Sequence, residues 1–178
     1  MNPIETGNEP ALEEVTFARR DRLRLEVEIL RLEELLRPPY NQKTTKPTRS
    51  HFHTLLLIDG GISSHHVDFE RYSVGAGDLF VIPEGCVHAF DRARVIQGYM
   101  ALFTADFLER CCLKVRRLEE SSQLLLRTGL RVHLGGGSLV QVRNNFATLA
   151  NHTGSLTAKR FAGEAIASAF SLLVFTIA

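Results

Sequence analysis

The chain has 178 residues, 44% hydrophobic and 23% charged, and its 21 Lys and Arg nearly balance 20 Asp and Glu for a formal net charge of +1. That length suits one compact domain with an appendage, and a chain of this size needs no metal or disulfide to fold. Collagen-like, disordered and disulfide-scaffold classes are excluded, and the balanced charge gives no electrostatic footprint for nucleic acid.

Residues 1 to 20 mix Pro, Gly, Asn and Glu without periodicity, which predicts a flexible N-terminal arm. The arm has no charged-then-apolar signal pattern, and Cys86, Cys111 and Cys112 form no CxxC. Reduced thiols and a cytoplasmic location are therefore expected. Leu23, Leu25, Val27 and Ile29 alternate with Arg24, Glu26 and Glu28 as in a half-buried strand. Leu32, Leu35 and Leu36 then stand at helical spacing, and the stretch from Arg37 to Ser50, rich in Pro, Thr and Lys, reads as a loop.

From His51 to Phe103 short apolar runs are separated by Asp59-Gly60-Gly61, Gly75-Ala76-Gly77 and Pro83-Glu84-Gly85, the texture of an antiparallel sandwich or barrel. The turn after Ser63-Ser64 is expected to hold His65 and His66 at a solvated tip. After Phe103 the period becomes helical. Thr104 is a candidate N-cap, with Leu108, Cys112, Val115 and Leu118 as an apolar stripe. Ser138 and Gln141 have capping-box spacing before Leu139, Val142, Phe146 and Leu149, Gly154 ends that helix, and Thr157 can cap the next.

The last predicted helix, from Phe161 to Ala178, carries one charge, Glu164, and is apolar nearly all round. Such a helix suits a domain on one face and a partner chain on the other better than a membrane. Phe161, Ala165, Leu172 and Phe175 lie broadly on one face, and Ala162, Ile166, Ala169 and Leu173 on another. A homodimer interface is expected here, through Phe161, Ala165, Ile166, Ala169, Leu172 and Leu173. The chain stops inside this apolar run, which reads as a cut before a further segment.

Gly77 to His88 (GDLFVIPEGCVH) resembles the second motif of cupins, small β-barrels of jelly-roll type. Gly77 permits a tight entry turn, Pro83 ends the ladder, Gly85 lets the hairpin turn over, and His88 returns on the next strand. A longer stretch is similar to the sensor domain of AraC-type transcription regulators. It includes His53 to Gly60 (HTLLLIDG), His66-Val67-Asp68-Phe69 with Tyr72 and Val74, and Gly98 to Leu108 (GYMALFTADFL). The resemblance implies a cupin-like jelly-roll barrel that binds a small effector, helices that dimerise, and DNA binding by a separate C-terminal helix-turn-helix domain. No candidate for that last part lies in these residues. The implied organisation is an arm (1–20), a mainly β effector-binding barrel (21–103) and a helical dimerisation segment (104–178).

Metal-binding cupins take two His and a Glu from their first motif, and no register here supplies that set. His51 and His53 form an HxH, but Leu57 and Ile58 stand where the Glu should follow. Anchoring on Gly60 gives Pro47, Arg49 and His53, and anchoring on Gly61 gives Thr48, Ser50 and Thr54. Arg92 stands where an Asn follows the second-motif His, and its charge opposes a nearby dication. Neither a metal nor another cofactor is expected, and no nucleophile-elbow, P-loop or dinucleotide fingerprint points to catalysis. The expected function is effector sensing without enzymatic activity. The alternative is a small cupin enzyme, a metal-dependent dioxygenase or isomerase. The effector pocket is expected at His88 and Phe90, with His53 and Met100 opposite. The competing expectation is a barrel filled by its own Leu, Phe and Val side chains.

Overall fold

The computed structural model describes residues 12–17, 26–37, 45–68, 70–91, 96–112, 130–154 and 162–177. In chain order these form β1 (Glu13–Thr16), β2 (Val27–Arg31), α1 (Leu32–Leu35), β3 (Thr48–His51), β4 (His53–Gly60), β5 (Ile62–Val67) and β6 (Glu70–Gly75). Then follow β7 (Asp78–Ile82), β8 (Val87–Phe90), β9 (Gln97–Phe103), α2 (Ala105–Cys112), β10 (Leu130–His133), α3 (Gly136–Gly154) and α4 (Ala162–Ile177). The fold is mixed β with α. Sheet I has the order β1-β3-β8-β5-β6 and sheet II the order β10-β7-β4-β9-β2, and the two do not close on each other.

Side-chain alternation explains why the central strands of sheet II are apolar without a break. On β4, Leu55 and Leu57 join a cluster with Phe107, Val142, Phe146, Ile166 and Phe170 of the helices. Their neighbours Leu56 and Ile58 join a second cluster with Val74 and Phe90 of sheet I. The same division separates Leu79 and Val81 from Phe80 and Ile82 on β7, and Tyr99 and Ala101 from Met100 on β9. Three layers result: sheet I, sheet II and the helices. Sheet II is buried on both faces, and each fully buried Leu or Phe contributes roughly 1.5–3 kcal/mol.

Local chemistry sets several boundaries. The Thr104 hydroxyl accepts the Phe107 N–H at 3.1 Å, the expected N-cap of α2. Gly98 has φ +148°, and a side chain there would collide with the Leu57 carbonyl. This close approach lies where the β4–β9 register shifts, between Ile58 and Gly60.

Several expectations need correction. Residues 13–16 of the expected arm form β1, parallel to β3 with Glu13 opposite Thr48. The end of the expected loop, Thr48 to Ser50, belongs to strand β3, because β8 supplies an antiparallel partner and β1 a parallel one. A strand unseen in the sequence, β10, extends sheet II by pairing with β7. Helix α3 begins at Gly136, so Ser138 is inside it rather than at its cap. Residues 18–25, Val115, Leu118, Thr157 and Phe161 lie outside the described residues.

Candidate functional site

A cavity of about 500 Å³ opens between the sheets, flanked by β1 of sheet I and β2 of sheet II. Volumes of this size accommodate small-molecule ligands. Sheet I supplies Glu13 and Val15, Thr48 and Ser50, then His88 and Phe90, each pair two residues apart on one strand and so on one face. Sheet II supplies Glu28 and Leu30 from β2 and Met100 and Leu102 from β9, while α1 adds Leu35 and Glu34. Phe52, at the bend between β3 and β4, completes the apolar wall. A smaller hollow of about 350 Å³, bordered by Thr45, Pro47, His66 and Asp68, also reaches His88.

Three of the four expected pocket residues, His88, Phe90 and Met100, line this cavity together. His53 does not. It shares the helix-facing side of β4 with Leu55 and Leu57, and its ring lies 5.5 Å from that of Phe103. Its Nδ1 accepts the Glu84 N–H at 3.0 Å, which secures the Pro83-Glu84-Gly85 turn of the second motif. Burial lowers its pKa, against a smaller opposing effect of Glu84.

His65, expected at a solvated tip, is instead fully buried on β5. Antiparallel pairing sets it opposite Phe90, so alternation turns His65 inward and His66 outward. Its ring packs 4.5 Å from that of Phe90, 5.5 Å from His88 and 5.7 Å from Phe80. The run Ile62 to Val67 (ISSHHV) carries no apolar alternation, so only the partner strand reveals which histidine faces in.

The cavity wall is polar at Ser50 and His88, and burial favours the neutral form of the imidazoles of His88 and of His65 behind it. His88 Nε2 and the Ser50 hydroxyl share a hydrogen bond of 3.1 Å. His88 Nδ1, both ring nitrogens of His65 and the Thr54 hydroxyl are sealed from solvent, with no hydrogen-bond partner among the described residues. Burial lowers the His88 pKa to about 4, a smaller pull from Asp68 acting upward. Burial also holds His65 well below the usual range, helped by His88 and His66. Neutral imidazole offers one donor and one acceptor, so these rings can read a hydrogen-bonding group.

Among the described residues no group of three His, Cys, Asp or Glu could hold a metal ion. The HxH pair is divided by the bend at Phe52. His51 lies exposed against Glu14 at 3.1 Å, and His53 packs toward the helices. No helix of the described residues is long and apolar enough to cross a membrane.

On α4, Ile166 and Leu173 of the expected dimer face are fully buried in the core of this chain, with Phe170 between them. Ala169 packs partly against the same core. Ala165 is exposed, and so are Leu172 (52%) and Phe175 (65%), which form an uncovered stripe with Ser168. The helix thus has an apolar inner face and a partly apolar outer one.

Among solved structures, the chain is similar to the AraC-like transcriptional activator CuxR (TM-score 0.45, 12% identity), over 84% of this chain and 52% of that one. It is also similar to ToxT from Vibrio cholerae (TM-score 0.40, 10% identity), over 82% of this chain and 52% of that one. The chain thus spans about half the length of these structures. No curated protein sequence matches it. The profile of the AraC-like ligand binding domain matches residues 32–157, which take in α1, strands β3 to β10, α2 and α3. That span is well over half of the sequence, and the chain belongs to the AraC-like ligand binding domain family.

Proposed function

We propose that this chain is the effector-sensing and dimerising half of a cytoplasmic AraC-type transcription regulator, without enzymatic activity or a resident metal. It binds a small molecule between its sheets and forms a homodimer through the outer face of α4. Specific DNA contact belongs to a C-terminal helix-turn-helix domain outside these 178 residues. The observation that carries this reading is the cavity at His88, Phe90 and Met100.

The position of Met100 on β9 supports a route for the signal. On the same strand Tyr99 stacks on Phe146 of α3 at 5.7 Å, and Phe103 meets Phe170 of α4 edge to face at 4.9 Å. A ligand that moves β9 therefore acts directly on the helices, provided it binds one arrangement more tightly than another. A small-molecule screen by thermal shift tests the site. A ligand present at about a hundred times its Kd adds about 2.7 kcal/mol of stability. Met100→Trp should push a bulky ring into the cavity beside His88 and Phe90 and reduce that gain. A ligand whose stabilisation survives Met100→Trp undiminished binds elsewhere, and the proposed site would then be wrong.

A further inference from the structure

Behind the cavity wall at His88 and Phe90 lie buried polar atoms with no hydrogen-bond partner among the described residues. His65 is fully buried, and neither of its ring nitrogens has a hydrogen-bond partner among the described residues. Its ring lies against those of Phe90 and His88, both of which line the cavity. His88 engages Ser50 through Nε2 and leaves a sealed Nδ1 without a partner. Unpaired buried nitrogens cost free energy, so for stability alone an aliphatic side chain would serve better at position 65.

The rest of the cavity has a different character. Its walls at Leu30, Met100 and Leu102 are apolar, and its lining includes the carboxylates Glu13 and Glu34. Arg31 also borders it, but the guanidinium lies 5.1 Å from the centre of the Tyr99 ring, which faces the helices, and is paired with Glu33. Among the described lining residues no other Lys or Arg is present.

Building on the sensing role above, we propose that the ligand is an uncharged amphiphile. Its hydroxyl or carbonyl head hydrogen-bonds at the Ser50–His88 pair on the cavity wall, its apolar body lies against Leu30, Met100 and Leu102, and the His65 ring packed on His88 backs that wall. Burial keeps the His88 imidazole neutral, so it pairs with a neutral head without proton transfer. A carboxylate head would meet the carboxylates Glu13 and Glu34 and, among the described lining residues, no cation but the Glu33-paired Arg31. An ammonium head would be desolvated beside apolar walls.

Calorimetric titration of the 178-residue chain near neutral pH with octanol, octylamine and octanoate tests this on one shared alkyl body. Octanol should bind about tenfold more tightly than either ion, a difference of about 1.4 kcal/mol. Replacing His88 by Leu should lower octanol affinity about tenfold. His65→Leu should lower it as well, while its melting temperature equals or exceeds that of the parent. Tighter binding of octanoate or octylamine overturns the uncharged head and leaves the sensing role standing. Binding by none of the three overturns the proposal, and the sensing role then rests on its own Met100→Trp test. A His65→Leu chain that unfolds or melts well below the parent makes His65 a structural residue and also overturns the proposal.

Discussion

His65 and His88 are two imidazoles that the fold keeps neutral by burying them, and this has a consequence for stability. Both have pKa values lowered on folding, His88 from 6.5 to about 4. Below pH 6.5 the unfolded chain takes up protons that the folded chain refuses, so stability falls as the pH drops toward the folded values. From His88 alone the loss between neutral pH and pH 5 is about 2 kcal/mol. Urea unfolding at the two pH values should show that loss, and His88→Gln, which cannot titrate, should remove His88's share. A pH dependence identical in parent and variant would contradict it. Glu26 illustrates the opposite arrangement. It is almost buried, and Arg110 of α2 donates to its carboxylate at 2.7 Å, so its charge is matched across elements.

Helix α4 serves two surfaces at once, and substitutions on each should differ in kind. Phe170 is fully buried against Phe103 and Phe107, at ring distances of 4.9 and 5.1 Å. Phe170→Ala should cost about 3–5 kcal/mol of stability, measured by urea unfolding at fixed protein concentration. Leu172 and Phe175 are exposed on the other side. A Leu172→Glu, Phe175→Glu double variant should stay folded but sediment as a particle of 19.9 kDa where the parent sediments as a dimer. A parent that is itself monomeric at micromolar concentration would remove the proposed interface. Strands β1 and β10 make a related point. Each is four residues long, and each lies at the edge of its sheet, where pairing rather than apolar pattern decides that a strand forms.

Across the whole molecule, sheet II is the shared wall between cavity and helices. Leu30, Met100 and Leu102 border the cavity, while Val27, Tyr99 and Phe103 on the same strands belong to the core beneath the helices. Sensing and dimerisation, as proposed, would therefore meet across one layer of backbone. With a formal net charge of +1, the chain has no excess of cations to release counterions from a duplex. It should leave an operator-length duplex unshifted in a gel at moderate salt. Retardation of that duplex by this chain alone would show a DNA surface that neither its charge nor its described helices account for.

The sequence alone determined the features that depend on local chemistry. The Gly77 to His88 motif appears as β7, a turn and β8, because Gly77 has φ +95° and Pro83 follows the last residue of the strand. Thr104 caps α2, and the AraC-type resemblance read from these segments agrees with the family found. Which face of each strand looks inward is set by long-range strand pairing instead. Alternation divides a strand into two faces without saying which one meets the cavity, and on β4 both faces are buried. For that reason His53 was expected in the pocket and lies under the helices, while His65 was expected in solvent and lies beside His88. Each placement follows from the register with a partner strand distant in sequence, His53 opposite Phe103 and His65 opposite Phe90.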